Sequence, residues 1–451
     1  PPPAVGTIFT DMAPERRVLF QGATLWAGGD DPVLGGQDVL VEGEKILQVG
    51  KKIPAKGVER IDCAGDVLVP GFQQTHVHAC QTLFRGLAED LPLLPWLQKH
   101  IWPLEAAHDP DSLRVSAELT ALELLRGGTT AVFSFETVRH SEVVGEVYDR
   151  LGLRAVFAPC LVDESAGIPA LAVKTSQALA DIQILARMYR DHPRVGVGVA
   201  PRFALACREE TLRESVAMAR QAGLPVQTHA NEQIAEIELV WERTGRGNIQ
   251  FLIDCGFHGP MVSLVHGVHL TPRERVQLRE SEVSLVHCPS ANAKLGSGIA
   301  PIVHLRELGV PLSLGADGAP CNNRLDMFAE MRLAGFLQKI SQGAGVMSAK
   351  SILQMAIGGG RAFLPSGRKT GRIAPGYLAD LVLVRQTGWH HCPSTDVLTN
   401  LVYSAQPEDV RITMVAGKVL YREGSYPGID GEEVQRKARE QRARLLARAG
   451  R

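Results

Sequence analysis

Charge of one sign is missing from this chain. Its 48 Lys and Arg stand against 49 Asp and Glu, leaving −1 at pH 7 and a pI of about 7.1. That balance leaves no electrostatic footprint for nucleic acid or for a membrane surface, so neither is an expected partner. Paired cysteines are missing too. The 8 cysteines, at 63, 80, 160, 207, 255, 288, 321 and 392, are scattered with no Cys-x-x-Cys. This speaks against a structural zinc knot or a disulfide framework and for a reducing cytoplasm. Hydrophobic runs of transmembrane length are absent, as is a charged N-terminal segment followed by an apolar one. Residues from Pro1 to about Arg16 read as a loose extension.

What is present is apolar sequence in short pieces. A hydrophobic content of 45% over 451 residues suffices for one large core and a smaller one. Residues 17–67 hold short strand-like runs, Val18–Phe20, Asp38–Val41 and Lys45–Val49, punctuated by Gly and Asp. From 68 to 364 the pattern alternates. Runs such as Thr130–Phe133, Arg154–Phe157 and Val195–Val199 are separated by helix-length amphipathic stretches such as 209–222 and 324–340. Such alternation, repeated about eight times, predicts a parallel sheet closed into a (β/α)8 TIM-type barrel, an α/β fold. After 370 short strands return, at 380–384, 411–415 and 417–421, and the two flanks (17–67 and 365–430) are expected to pair as one small β-sandwich. The charged segment 431–451 is expected to be helical and solvated.

The chemistry is concentrated at the ends of the apolar runs. Val69-Pro70-Gly71-Phe72-Gln73-Gln74-Thr75-His76-Val77-His78 ends in two histidines that a strand would aim at one point, since residues i and i+2 share a face. Pro-Gly just upstream is a plausible domain boundary. A lone His-x-His on a half-exposed strand is common and carries little weight. His229, His266 and Asp317, however, each close a Val- and Leu-rich run, as a barrel with chemistry at the carboxyl ends of its strands requires. Buried imidazoles and a carboxylate need partners, and one shared cation would satisfy several together.

Four motifs extend this pattern: Pro-Gly-Phe-x-x-x-His-x-His, Gln-Thr-Leu-Phe-Arg-Gly at 81–86, His-Cys-Pro-Ser-Ala-Asn at 287–292 and Gly-Ala-Asp-Gly-Ala-Pro-Cys-Asn-Asn at 315–323. In them the chain resembles the amidohydrolase superfamily, and within it the ATZ/TRZ-type aminohydrolases, over essentially its whole length. The resemblance implies that His76, His78, His229 and Asp317 hold one divalent metal ion, usually zinc, with iron as the other choice. It also implies that Glu232 shuttles a proton and that His266 sits over the metal-bound water. A homodimer is the family habit. The binuclear branch places a carboxylated lysine at the end of strand four; Val195–Val199 here runs into Ala200-Pro201-Arg202-Phe203, which implies a mononuclear site. Three imidazoles and one carboxylate leave the cation net positive, able to lower bound water's pKa from about 15.7 toward roughly 7. Asp317 would take the water's proton, His266 would steady the tetrahedral intermediate, and Glu232 would protonate a ring nitrogen beside the attacked carbon, so that ammonia leaves.

Other residues have blander readings. Glu236 and Glu238 read as solvated charges on the helix that follows Glu232, and His269 as a structural neighbour. His287 could line the cleft or be a core histidine. For substrate contacts, Gln81 can present both donor and acceptor to a heterocycle edge, Trp96 can stack on a ring, and Arg202 can bind a carbonyl or ring nitrogen. Leu-Pro-Leu-Leu-Pro-Trp-Leu at 91–97 and Pro-Arg-Phe-Ala-Leu-Ala-Cys at 201–207 look like guanine deaminases, in which Gln81 and Arg202 would hold the purine. The segments 293–301 and 317–323 look more like methylthioadenosine and S-adenosylhomocysteine deaminases, where Glu105 would bind ribose hydroxyls. Those enzymes usually carry histidine in place of Arg202, and Pro159 stands where they can have arginine. The reading is a hydrolytic deaminase of a heterocyclic small molecule, with a guanine-like purine or pterin ahead of an adenosine-type nucleoside. A triazine-type amino- or chlorohydrolase and a metal-free scaffold are the remaining alternatives.

Overall fold

The computed structural model describes residues 16–163, 168–364, 368–393 and 396–451. The loose extension expected before Arg16 lies outside them. Four strands, Phe72–Val77, Thr129–Phe135, Arg154–Ala158 and Val195–Val197, form one parallel sheet, and Val226–Ala230, Val262–His266, Ser284–His287 and Leu312–Leu314 form a second. Parallel bridges Val199↔Val226 and Val77↔Asp317 join the edges of the two. The Thr129–Phe135 and Arg154–Ala158 strands are buried at every position. Helices cover such strands on the outside, so their sequences read as continuous rather than alternating apolar runs.

Helices lie between successive strands, and several are bounded by local chemistry. The Pro110–Arg126 helix opens on a capping box in which Asp109 accepts from the Ser112 amide. The stretch expected at 209–222 is the helix Glu209–Ala222, ended by Gly223 in the left-handed conformation. The stretch expected at 324–340 begins later, at Met327, because the Asp326 carboxylate caps it through the Phe328 amide.

Strands from both flanks enter one eight-stranded sheet. Leu381–Arg385 lies antiparallel to Asp66–Pro70, which also runs parallel to Arg17–Trp26. Val18, Phe20, Val41, Ile46, Leu68, Leu381, Ile412 and Met414 share one buried cluster. The chain passes from this sheet into the central strands at Pro70-Gly71, where the Gly71 amide donates to the Asp380 carbonyl. Arg154 and Asp380, both buried, pin the two parts together with N–O distances of 2.7 and 3.1 Å.

The helix expected near the C-terminus spans Gly431–Arg448, but it is not solvated all round. Val434, Ala438 and Leu445 are buried, Arg442 donates to the Arg85 carbonyl and Arg448 to that of Ala107. Its mean composition is charged, and the apolar stripe is only three residues wide, which is why the sequence reads as a surface helix. Among the described residues no helix is long and apolar enough to cross a membrane.

Candidate functional site

Five side chains that are far apart in sequence meet at the carboxyl ends of the central strands. His76 Nε2 and His78 Nε2 lie 3.5 and 3.3 Å from Asp317 Oδ1, and His266 Nε2 lies 3.9 Å from Asp317 Oδ2. The ring centroids of His76 and His229 are 4.9 Å apart. Among the described residues, potential metal-binding groups include His76, His78 and Asp317, and His76, His229 and His266, with ligand atoms mutually within 4.8 Å.

Each imidazole is turned by an acceptor behind it. His76 Nδ1 meets Gln227 Oε1 at 2.6 Å, His78 Nδ1 the Phe135 carbonyl at 2.8 Å, His229 Nδ1 the Arg202 carbonyl at 2.6 Å and His266 Nδ1 Asn292 Oδ1 at 2.8 Å. A carbonyl oxygen can only accept, so His78 and His229 carry the proton on Nδ1. Gln227 spends its amide hydrogens on the Thr75 carbonyl and Ser263 Oγ, which leaves its oxygen for His76. The Nε2 lone pairs of these three histidines therefore converge. His76 Nε2 is buried without a hydrogen-bond partner. Burial holds His78 and His229 well below the usual histidine range, with further lowering by the His76 ring, so both stay neutral and ready to ligate. Three converging lone pairs beside a carboxylate are the donor set a divalent cation accepts, and their outer partners are those that fix ligating histidines.

Strain concentrates here as well. Asn231, His266 and Asp317 have φ of 54°, 75° and 63° in the left-handed region, which non-glycine residues rarely occupy. Gly318 faces Gln81 so closely that a Cβ would sit 2.1 Å from Gln81 Oε1, so glycine leaves that amide its room beside the converging histidines.

Glu232 is buried, with Oε2 3.4 Å from His266 Nε2 and Oε1 accepting from the Ser297 hydroxyl at 3.3 Å. Burial first, then the charge of Asp317, pushes its carboxyl up to about 8, so it holds a proton at neutral pH. Glu236 corrects an expectation: it is 1% exposed rather than solvated. It sits in the first turn of the helix Ile234–Thr244 and folds back to accept from the Glu232 amide at 2.9 Å and from Asn248 Nδ2 at 2.9 Å. A carboxylate three residues into a helix can satisfy amides that the helix start leaves free, and here one of them belongs to Glu232.

The cleft above these groups holds about 430 Å³ of empty space, part of it open to solvent. Leu93, Trp96, Leu97, Phe203 and Leu295 give it apolar walls, and Gln81, Arg202 and Glu232 its polar points. Glu105 is not among the residues lining it. It lies one side chain behind, paired with Arg202 at 2.7 and 3.2 Å and accepting from Gln81 Nε2 at 2.8 Å. Its place is that of an anchor for Arg202 and Gln81 rather than a group facing the cleft. Trp96 presents its ring to the cleft while its indole N–H donates to the Ala88 carbonyl. His269 turns away from the cleft lining, its Nε2 donating to the Ser297 carbonyl at 2.8 Å. His287 is fully buried and outside the cleft lining; burial pushes it down to about 3.

Sequence reading passed over Gln227, Asn292, Ser297 and the buried role of Glu236. Gln227 was within reach, since it precedes His229 by two on one strand and so shares its face. Asn292 closes one of the quoted motifs; its contact with His266 spans 26 residues and has no local signal.

Comparison with known proteins agrees with this geometry. Residues 67–420 match the model of the amidohydrolase family. A 5-methylthioadenosine/S-adenosylhomocysteine deaminase of Halobacterium salinarum is 38% identical over 400 residues, 87% of this chain and 90% of its own. A 5'-deoxyadenosine deaminase of Methanosarcina acetivorans is 37% identical over 398 residues, 86% of this chain and 89% of its own. The crystal structure of an adenosine deaminase from Xanthomonas campestris with bound zinc superposes with a TM-score of 0.90 at 30% identity, covering 96% of this chain and all of that one. With the convergent histidines, the buried Asp317 and a family match over most of its length, this chain belongs to the amidohydrolase family.

Proposed function

We propose that this protein is a metal-dependent hydrolytic deaminase of adenosine-type nucleosides, acting on a C–N bond of an amino-substituted ring. The observation that carries the reading is the set of imidazoles whose Nδ1 atoms all meet an acceptor, beside a buried Glu232 whose Oε2 lies 3.4 Å from His266 Nε2. The names of the relatives move the weight from a guanine-like base, which the motifs at 91–97 and 201–207 favoured, to a nucleoside.

His76, His78, His229 and Asp317 would hold the metal, with zinc favoured by the donor set and by the zinc-bound relative. When bound, a divalent cation supplies the positive charge that makes water nucleophilic at neutral pH. Asp317 takes the water's proton, and His266, held by Asn292, orients the attacking oxygen by hydrogen bonding. Glu232 would pass its proton to the ring nitrogen beside the attacked carbon, Asp317 would hand the water's first proton to the amino group, which leaves as ammonia, and the proton left on the new oxygen would return to Glu232. The apolar walls stack and exclude water, with Trp96 as the ring platform. Glu105 fixes Gln81 and Arg202 by accepting from both, which leaves Gln81 Oε1 without a hydrogen-bond partner among the described residues. Because Glu105 offsets Arg202, the cleft offers no unpaired cation, which suits a neutral nucleoside.

The two four-stranded sheets, bridged at both edges, support one closed barrel over 68–364. The buried cluster shared by the terminal strands supports a β-sandwich over 17–67 and 365–430, with the 431–451 segment as a separate tail packed on the barrel. Eight free cysteines, seven of them buried, suit the cytoplasm; a homodimer remains the family expectation. The test is ammonia release by the zinc-loaded protein from 5′-methylthioadenosine, 5′-deoxyadenosine and guanine side by side. Release from a nucleoside and not from guanine is expected. Release from guanine alone overturns the substrate, and silence on all three with metal bound overturns the reading.

A further inference from the structure

A second cluster of ligating side chains lies away from the cleft. His390 and His391 end the short 3-10 segment Trp389–His391, and Asp409 ends the segment Pro407–Asp409 that leads into the strand Val410–Val415. The neighbouring Glu408 pairs with Arg126, at the C-terminus of the helix that feeds the amino end of Thr129–Phe135. The cluster is thus at the opposite end of the strands from His76 and Asp317, on the order of 20 Å of strand away.

We propose that His390, His391 and Asp409 form a second metal-binding site, for a zinc-like divalent cation, that staples two loops of the terminal sheet. His390 Nε2 and His391 Nε2 lie 2.8 and 3.2 Å from the same oxygen, Asp409 Oδ2, and the two rings are 4.2 Å apart. The three ligand atoms fall mutually within 4.8 Å. The spacing resembles the 3.3–3.5 Å between His76, His78 and Asp317.

His391 is the informative residue. Its side chain is fully buried, Nδ1 has no hydrogen-bond partner among the described residues, and Nε2 has the Asp409 carboxylate at 3.2 Å but no hydrogen bond of good geometry. A buried imidazole placed this way is costly unless something engages it, and a cation shared with Asp409 would use the Nε2 lone pair. Asp409 is held in place from behind, since its Oδ2 also accepts from the Gln406 amide at 3.0 Å. Asn400 Nδ2 donates to the His391 carbonyl at 3.4 Å. His390 is 38% exposed on its side chain, which leaves a solvent side for a water or a fourth ligand. Two imidazoles and one carboxylate with an open position are a set that zinc accepts. Bound there, the ion would join the segment after Leu381–Arg385 to the one before Val410–Val415 and stabilise the folded chain by mass action.

The experiment uses the full chain, stripped of metal and then equilibrated with buffered Zn²⁺, with bound metal counted by elemental analysis and the unfolding midpoint read in parallel. Wild type is expected to bind two ions per chain. His390→Ala, an exposed substitution, should bind one, with second-site affinity weakened by about 100-fold and ammonia release unchanged. His229→Asn should also bind one, which separates this site from the cleft. The zinc-dependent rise in midpoint at the second equivalent should vanish in His390→Ala. Equal stoichiometry in wild type and His390→Ala overturns the proposal, as does a midpoint rise that survives the substitution.

Discussion

Removing the carboxylate of Glu105 should destabilise the fold as well as the cleft. The Glu105 and Arg202 side chains are 0% and 4% exposed, joined at 2.7 and 3.2 Å, with Gln81 as the third partner. Glu105→Gln keeps the shape and strands a buried guanidinium, and losing one member of a buried pair costs about 3–5 kcal/mol. For 451 residues the unfolding entropy is roughly 1 kcal/mol per kelvin, so the midpoint should fall by about 3–5 °C. The double variant Glu105→Leu with Arg202→Met removes both charges together and should recover most of that loss, because well-packed apolar groups often replace a buried ion pair at little cost. Scanning calorimetry of both proteins and the parent at one scan rate decides the matter. A Glu105→Gln midpoint within 1 °C of the parent (about 1 kcal/mol by the same conversion) would refute the account of Arg202 as a buried, compensated charge. So would a double variant no more stable than the single one.

Three further outcomes follow from the same geometry. Glu232→Gln keeps its size but cannot pass a proton, so kcat should fall by about 10²–10⁴ with metal content unchanged; loss of metal together with activity would assign Glu232 to the ligand set instead. Glu236→Ala removes the acceptor of the Glu232 amide, so kcat should drop while KM for the nucleoside holds, and Glu236→Gln should restore part of it. Glu136 is 0% exposed, and burial pushes its carboxyl up to about 7 from an ordinary 4.5. Between those values the unfolded chain releases the proton while the folded one keeps it, so stability falls as pH rises through this window, by roughly 3 kcal/mol, and is flat on either side. Glu136→Gln can still accept from the Cys80 amide, and its new amide N–H can donate to the Ser134 hydroxyl that donates to the carboxyl in the parent. Its stability advantage over wild type should therefore grow from pH 4.5 to 7; an unchanging difference would contradict the raised pKa.

The sequence by itself determined the alternation of strand and helix and the candidate ligands. Both are local: a fully buried parallel strand must be apolar along its length, and His76, His78, His229, His266 and Asp317 are marked by ending such runs. The capping residues Asp109 and Asp326 act over only three residues, yet the expected start at 324 overlooked the Asp326 cap that sets it at Met327. Tertiary structure alone decided what faces what. Glu236 reads as a surface charge because its helix is mixed in composition, and only the fold back onto the Glu232 amide buries it. Glu105 is separated from Arg202 by 97 residues, and nothing short-range marks the pair. Gln227 and Asn292 turn His76 and His266 across 151 and 26 residues. The tail helix carries its apolar stripe among arginines and glutamates, and its burial exists only once Pro110–Arg126 supplies a surface to cover it. Periodicity encodes which side of an element is apolar; the partner of a polar side chain is fixed only when distant strands are brought within hydrogen-bond reach.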